Sequence, residues 1–213
     1  MKPIASFIGG QRLQLAELQD YVVDIIYDVF QPGALLYGET AIWRCFGGAR
    51  FSEDIDIYMD EVPFENFLSK LEEYGLRLVW QDPEFPTRIR ISNGNVDLLL
   101  ETKKGYAEND IMAYSRTDGT TKTIKVLSPT ELLIRKIEAY QGRRFIRDIY
   151  DLFILTNWLD RSDYTVSSRL SKFLHAVPEP VDEKVLDSLL YKSGENLNFK
   201  SLVDYLRRWL NEV

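Results

Sequence analysis

Arg50-Phe51-Ser52-Glu53-Asp54-Ile55-Asp56-Ile57 ends with two acids and two branched apolar residues in strict alternation. On a strand, Asp54 and Asp56 share one face while Ile55 and Ile57 share the other, and the alternation over residues 50–59 predicts such a strand. The isoleucines account for the strand but not for the acids, because two neighbouring carboxylates repel. A divalent cation between them removes the repulsion, and hard carboxylate oxygens suit magnesium or manganese. The alternative is an edge strand whose two solvated acids discourage aggregation.

The residues upstream favour the first reading. Leu15, Leu18, Val22, Ile25, Ile26 and Val29 recur at helical spacing, and Gln31-Pro32-Gly33 stops that helix. Ala34–Tyr37 is a short apolar run fit for a buried strand. Gly38-Glu39-Thr40 then turns the chain into a short helix, Ala41–Phe46, which Gly47-Gly48 ends. A glycine turn at a helix N-terminus presents free N–H groups and a positive dipole end, which together hold phosphate. Gly38 and Thr40 are therefore candidate phosphate ligands, with Thr40 as a plain helix cap the alternative. Strand, glycine turn, helix and acidic strand form the unit that phosphoryl transfer needs.

Downstream, Pro63 opens a helix to about Tyr74 and Leu76–Trp80 reads as a strand. Arg88–Ile91 and Val96–Leu100 flank Asn93-Gly94, a strong hairpin signal. With a two-residue turn, Arg90 faces Asp97. Asp97 is then either a third metal ligand, with Arg90 tempering its charge or touching a phosphate, or one half of a cross-strand salt bridge. Strands are expected around Ile111–Arg116 and Lys122–Leu127. Ser128-Pro129-Thr130-Glu131 matches a capping box with proline at the first helical position, and the remainder reads as helical, with a break near Pro178 and Pro180. The seam falls at Leu127–Ser128, giving an α/β domain over 1–127 and a helical domain over 128–213.

On the helix from Pro129, Lys136 has Leu132, Leu133, Ala139 and Tyr140 as its neighbours three and four residues away. A lysine in an apolar stripe is costly unless an anion meets it, which makes Lys136 a candidate contact for a triphosphate. The alternative is a stem that snorkels to solvent. Arg135, one step round, reads as a surface residue near Glu131 and Glu138. Arg144 with Asp148 and Arg147 with Asp151 are spaced as surface ion pairs along the next helix.

Bulk composition narrows the classes. The chain has 213 residues, 45% of them hydrophobic, enough for a sizeable core. Cys45 is the single cysteine and His175 the single histidine, so an intramolecular disulfide is excluded and any metal is expected to be oxygen-bound. His175 lies in a stretch that reads as ordinary helix. No apolar run is long enough for a membrane span, and a cytoplasmic location with no membrane partner is expected. Residues 131–213 carry 13 of the 26 Lys+Arg and 13 of the 33 Asp+Glu, so the net charge of −7 resides entirely in residues 1–130. A broad basic face for duplex nucleic acid is not supported, whereas Arg135, Lys136, Arg143, Arg144 and Arg147 leave room for a local contact with a nucleic-acid end.

Gly38-Glu39-Thr40-Ala41-Ile42, Arg50-Phe51-Ser52-Glu53-Asp54-Ile55-Asp56, Lys136-Ile137-Glu138-Ala139 and Arg147-Asp148-Ile149-Tyr150-Asp151-Leu152 occur in the order seen in a known family. Together they resemble the AbiEii/MenT-type nucleotidyltransferase toxins of the polymerase-β-like nucleotidyltransferase superfamily. The resemblance spans roughly residues 34–155, and the Arg-Phe-Ser-Glu-Asp-Ile-Asp run is its most specific part. It implies an α+β fold: a minimal nucleotidyltransferase domain with a mixed sheet, followed by a C-terminal helical domain, with the site in the cleft between them. It implies an NTP substrate, Mg²⁺ (or Mn²⁺), and transfer of a nucleotide to an acceptor hydroxyl, which in several relatives is the tRNA 3′ end. It also implies an antitoxin partner. By position Gly38 and Thr40 cradle phosphates, Asp54 and Asp56 bind metal, Lys136 and Asp148 match the family's later catalytic lysine and aspartate, and Asp97 lies where a third carboxylate is expected. This chain differs at Glu39, where the family usually has glycine or serine; an acid there repels a triphosphate unless it turns away or meets a metal. Two other readings stay open: the same chemistry on a protein side chain, and a nucleotide-binding protein without turnover.

Overall fold

In the computed structural model, residues 2–30, 33–59, 64–82, 88–105, 107–191 and 197–211 are described. The expected stop at Gln31-Pro32 and the expected helix start at Pro63 lie outside them. The chain divides into two compact units, Met1–Cys45 with Ser52–Leu127, and Phe46–Phe51 with Ser128–Val213.

The first unit is built on a mixed sheet. Its strands are β1 (Leu35–Tyr37), β2 (Ile55–Tyr58), β3 (Arg77–Gln81), β4 (Arg88–Ser92), β5 (Asp97–Lys103), β6 (Asn109–Ser115) and β7 (Thr121–Leu127), in the spatial order β3-β4-β5-β2-β1-β7-β6. β1 runs antiparallel to β2 and parallel to β7, while β2 runs parallel to β5. Leu36 is registered on Ile57, Ile55 on Leu100 and Leu100 on Ile89, so one face is a continuous apolar layer with each of these residues at most 1% exposed. Burial of each such side chain contributes about 1.5–3 kcal/mol. The opposite face carries Tyr37, Asp56, Glu101 and Arg88 across four strands. A slip of one residue would exchange the two faces, so the isoleucines fix where Asp56 points.

Helices α1 (Gly10–Val29), α2 (Gly38–Cys45) and α3 (Phe64–Glu73) complete this unit. Leu18, Val22, Ile25 and Ile26 of α1 are fully buried, which is the stripe that their spacing predicts. Polar bonds inside the core fix α2. The Arg44 guanidinium donates to Ala16 O at 2.9 Å, Gln19 Oε1 at 3.2 Å and Ser115 O at 3.2 Å, and lies 3.5 Å from Asp20. Asp20 also accepts from the Thr117 amide and hydroxyl and from the Tyr114 hydroxyl. Arg44 is 1% exposed, so this satisfaction is obligatory.

Two sequence expectations need correction. The acidic strand starts at Ile55 instead of Arg50, because the carbonyls of Ser52 and Asp54 are taken by side chains (Gln19 and Thr40). The hairpin tip is Gly94-Asn95 instead of Asn93-Gly94. Asn93 Oδ1 accepts from the amides of Asn95 and Val96, Asn93 N donates to Val96 O, and Gly94 takes φ +90° at the first central position, where glycine is favoured. Asp97 consequently faces Ser92, and Arg90 faces Leu99.

The second unit is helical: α4 (Pro129–Arg143), α5 (Ile146–Leu155), α6 (Tyr164–His175), α7 (Leu186–Leu189) and α8 (Phe199–Asn211). Ser128 caps α4 by accepting from the Glu131 amide, with Pro129 at the first position. Leu132, Leu133, Tyr140, Ile146, Ile149, Leu152, Leu170 and Leu206 form its core. Arg144 ends α4 in the left-handed region at φ +53°, its amide bonded to Tyr140 O, and this sharp corner turns α5 back along α4. Residues 49–51 join this unit through backbone bonds: Tyr191 N to Ala49 O at 3.0 Å and Phe51 N to Leu189 O at 3.4 Å. His175 is the exposed last residue of α6. Among the described residues no helix is long and apolar enough to cross a membrane.

Candidate active site

In the first unit, the register places Tyr37 opposite Asp56, so the next residue, Gly38, meets the Asp56 side chain at the point where β1 becomes α2. The approach is very close. A β-carbon on Gly38 would stand 2.1 Å from Asp56 Oδ2 and 2.9 Å from its carboxyl carbon. Gly38 also has φ +74°, a conformation that other residues adopt only with strain. Sequence and sheet thus hold a carboxylate against a bare backbone turn at a helix N-terminus.

Thr40 is fully buried in the first turn of α2. Its hydroxyl lies 2.5 Å from Asp54 O and 2.8 Å from Ser52 Oγ, while Gln19 Nε2 donates to Ser52 O at 2.8 Å. These three bonds fix the backbone that carries Asp54. Thr40, expected to touch phosphate, here anchors the acid loop. Asp54 is exposed just before β2, and Asp56 is half-buried on it. Two carboxylates with hard oxygens, one of them packed against a cradle that any β-carbon would fill, fit a divalent cation of the magnesium type.

The other candidates on this sheet stand further away. The residue registered beside Asp56 on β5 is Glu101, which pairs with Arg88 at 3.0 Å. Asp97 is exposed at the start of β5, four residues before Glu101, or about 13 Å along the strand. Arg90 is exposed on β4, one strand further out than β5. The expected pairing of Arg90 with Asp97 is replaced by the shifted register.

In the second unit, Lys136 is 5% exposed and does not snorkel. Its ammonium lies 2.6 Å from Asp151 Oδ2 and 3.5 Å from Asp148 Oδ1. Arg50 grips Asp151 at 2.8 and 3.3 Å, and Arg143 grips Asp148 at 2.7 and 2.8 Å. Asp148 and Asp151 are 0% and 1% exposed, so the expectation of surface ion pairs on α5 is corrected: both acids point inward, three residues apart on one helix face. Arg135 does stay near the surface, 3.9 Å from Glu131. Sequence reasoning missed Asp151 as the partner of the lysine and Arg50 as the partner of Asp151. The signal was present for Asp151, whose neighbours three and four residues on are Ile154 and Leu155, the same apolar setting that singled out Lys136.

A glycine turn on a carboxylate pair, and separately a buried lysine on paired aspartates, are the two halves expected of a nucleotidyltransferase. The family model for the nucleotidyl transferase AbiEii toxin of type IV toxin–antitoxin systems matches residues 23–184. The chain belongs to the AbiEii family. It is a nucleotidyltransferase, and the family catalyses transfer of a nucleotidyl group. Similar folds occur in JHP933 from Helicobacter pylori (18% identity, 95% of this chain and 90% of that one, TM-score 0.61) and in MenT4, a nucleotidyltransferase toxin from Mycobacterium tuberculosis H37Rv (17% identity, 93% and 82%, TM-score 0.62). A comparison with curated proteins finds no match. The four stretches that carry the resemblance lie at the first turn of α2, the entry to β2, the middle of α4 and the start of α5.

Proposed function

We infer that this AbiEii-family protein moves an NMP from an NTP to an acceptor hydroxyl, with the 3′ end of an RNA, and of tRNA in particular, as the acceptor. The observation that carries the reading is the contact of Asp56 with the bare α-carbon of Gly38. A stability role for that contact is poor, because it sets a carboxylate beside a half-open turn. A nucleotide site explains both the missing β-carbon and the acid. Asp54 and Asp56 would hold Mg²⁺ or Mn²⁺, which when bound screens the charge that builds on the phosphates during transfer.

The remaining roles belong to the chain itself. Backbone amides at Gly38 and the start of α2 bind phosphate oxygens. Thr40 fixes the Asp54 loop instead of donating to phosphate. Lys136 contacts the triphosphate, and Asp148 orients the acceptor hydroxyl. That oxygen gives up its proton to solvent and bonds to the α-phosphorus, the bond from the α-phosphorus to its bridging oxygen breaks, and pyrophosphate leaves with the electron pair. Most of the acceleration comes from alignment and charge stabilisation. Asp97 and Arg90, away from the pair by register, are left out of this scheme. An antitoxin partner, consistent with the family, would suppress the activity.

The test is incubation of the protein with each α-³²P-labelled NTP and Mg²⁺, with total RNA in one arm and RNA-free cell lysate protein in the other. Label on the RNA 3′ end is the expected result. Label on protein alone would move the acceptor to a side chain, and no label in either arm with retained NTP binding would make this a binding protein.

A further inference from the structure

Within the second unit, Asp151 and Asp148 stand near Lys136 at unequal distance. The nearer is Asp151, at 2.6 Å, and Asp148 stands at 3.5 Å. Each acid is held by a different guanidinium. Arg50 reaches Asp151 from the 49–51 segment, which backbone hydrogen bonds to Leu189 and Tyr191 and a hydrogen bond from the Ala49 N–H to the Tyr150 hydroxyl hold in place. Arg143 reaches Asp148 with both guanidinium donors from the last turn of α4. A fork on a carboxylate fixes its plane, and a fixed plane fixes where a third partner can sit.

We propose that Asp151, locked by Arg50, is the positioning residue for the Lys136 ammonium, and that Asp148, the acid farther from the lysine and locked by Arg143, serves the acceptor side. The assignment rests on the nucleotidyl-transfer reading and refines it, since spacing alone gives both aspartates equal claim to the lysine. Arg50 gains a defined task in it: the residue that opens the acidic run at the sequence level belongs to the lysine's support. Asp151 is 1% and Arg50 4% exposed, so the pair supports the lysine from within the second unit.

The experiment compares Asp151→Asn, Asp148→Asn and Arg50→Lys with the wild-type protein, each checked for folding by thermal melting. The first measurement needs no turnover: the rate at which an amine-acylating reagent modifies Lys136, read by peptide mass spectrometry against exposed Lys200 in the same sample. Asp151→Asn should raise the Lys136 rate about tenfold and Asp148→Asn by less than about threefold, because loss of the closer anion frees and partly deprotonates the amine. The second is steady-state transfer. Asp151→Asn should raise KM for NTP about tenfold or more with the smaller effect on kcat, and Asp148→Asn should lower kcat with KM near wild type. Arg50→Lys keeps the charge but loses the fork, and should fall between wild type and Asp151→Asn. Equal acylation rates in the two aspartate variants, or a KM for Asp151→Asn within twofold of wild type, would overturn the assignment. If the wild-type protein transfers no nucleotide at all, the function fails while the acylation ranking still decides which aspartate positions the lysine.

Discussion

Asp56 Oδ2 lies where a β-carbon on residue 38 would have to be, 2.1 Å away from it. Gly38 is therefore required twice over, for its φ of +74° and for the volume that it leaves to the carboxylate. Gly38→Ala should cost about 1–2 kcal/mol from backbone strain alone, and should also displace Asp56 or the start of α2. The expected outcome is a folded protein of lower melting temperature with nucleotide transfer reduced at least about 100-fold, roughly 2.7 kcal/mol in the barrier. Retention of full transfer would show that the close approach has no bearing on activity.

Thr40 serves Asp54 through its hydroxyl, which lies within bonding distance of Asp54 O and Ser52 Oγ. Thr40→Val keeps the shape but leaves buried oxygens without that partner, at a cost of about 1–3 kcal/mol. Thr40→Ser keeps the hydroxyl and should keep most of the stability. Denaturant melts of the two variants check the stability side. The Mg²⁺ concentration for half-maximal transfer should rise in the valine variant and not in the serine variant.

Glu39 is half-buried in the first turn of α2, where the positive end of the helix favours an acid. The same position adds negative charge beside the proposed phosphate site. Glu39→Ser should lower KM for NTP severalfold at low ionic strength, with the effect shrinking in 0.5 M salt as charges are screened. Steady-state titration at the two salt concentrations reads this directly, and an unchanged or higher KM would mean that Glu39 assists binding.

Much of the fold was legible because hydrophobic period and turn chemistry are local. The alternation at Ile55-Asp56-Ile57 and the cap at Ser128-Pro129 could be read from neighbours in sequence, and both elements form as expected. The hairpin register could not, because Asn93-Gly94 and Gly94-Asn95 are both acceptable tips and the choice lies with the Asn93 side chain. For the site, the acids near Gly38 announced themselves, since like charges on one strand face call for an explanation. The partners of Lys136 did not, as Arg50 lies 101 residues from Asp151 and no local pattern joins them. The partners of Thr40 were hidden for the same reason: its bonds go to Ser52 and Asp54, across the chain instead of along the helix.

Burial raises the Cys45 thiol from its ordinary 9.0 to about 12, and raises the Tyr140 and Tyr150 hydroxyls from 10.0 to about 12. All three are held in their neutral form in the folded state. The unfolded chain releases these protons at lower pH, so the stabilisation is complete below about pH 9 and is lost progressively as pH rises towards 12. Denaturant melts should show a plateau from pH 7 to about 8.5 and a decline above pH 9. The same burial predicts that Cys45 resists thiol reagents at pH 8 until the protein unfolds. Rapid modification of folded protein would contradict the packing of α2.

The proposed service of Asp54 and Asp56 to one bound divalent ion in nucleotide transfer is decided by the transfer of α-³²P-labelled NTP to RNA by wild type, Asp54→Asn and Asp56→Asn across a Mg²⁺ titration. Wild type should label RNA in a Mg²⁺-dependent way that chelation abolishes. Either variant, with its melting curve intact, should fall to background at every Mg²⁺ concentration. Wild-type labelling that Asp56→Asn sustains at an undiminished rate would contradict it.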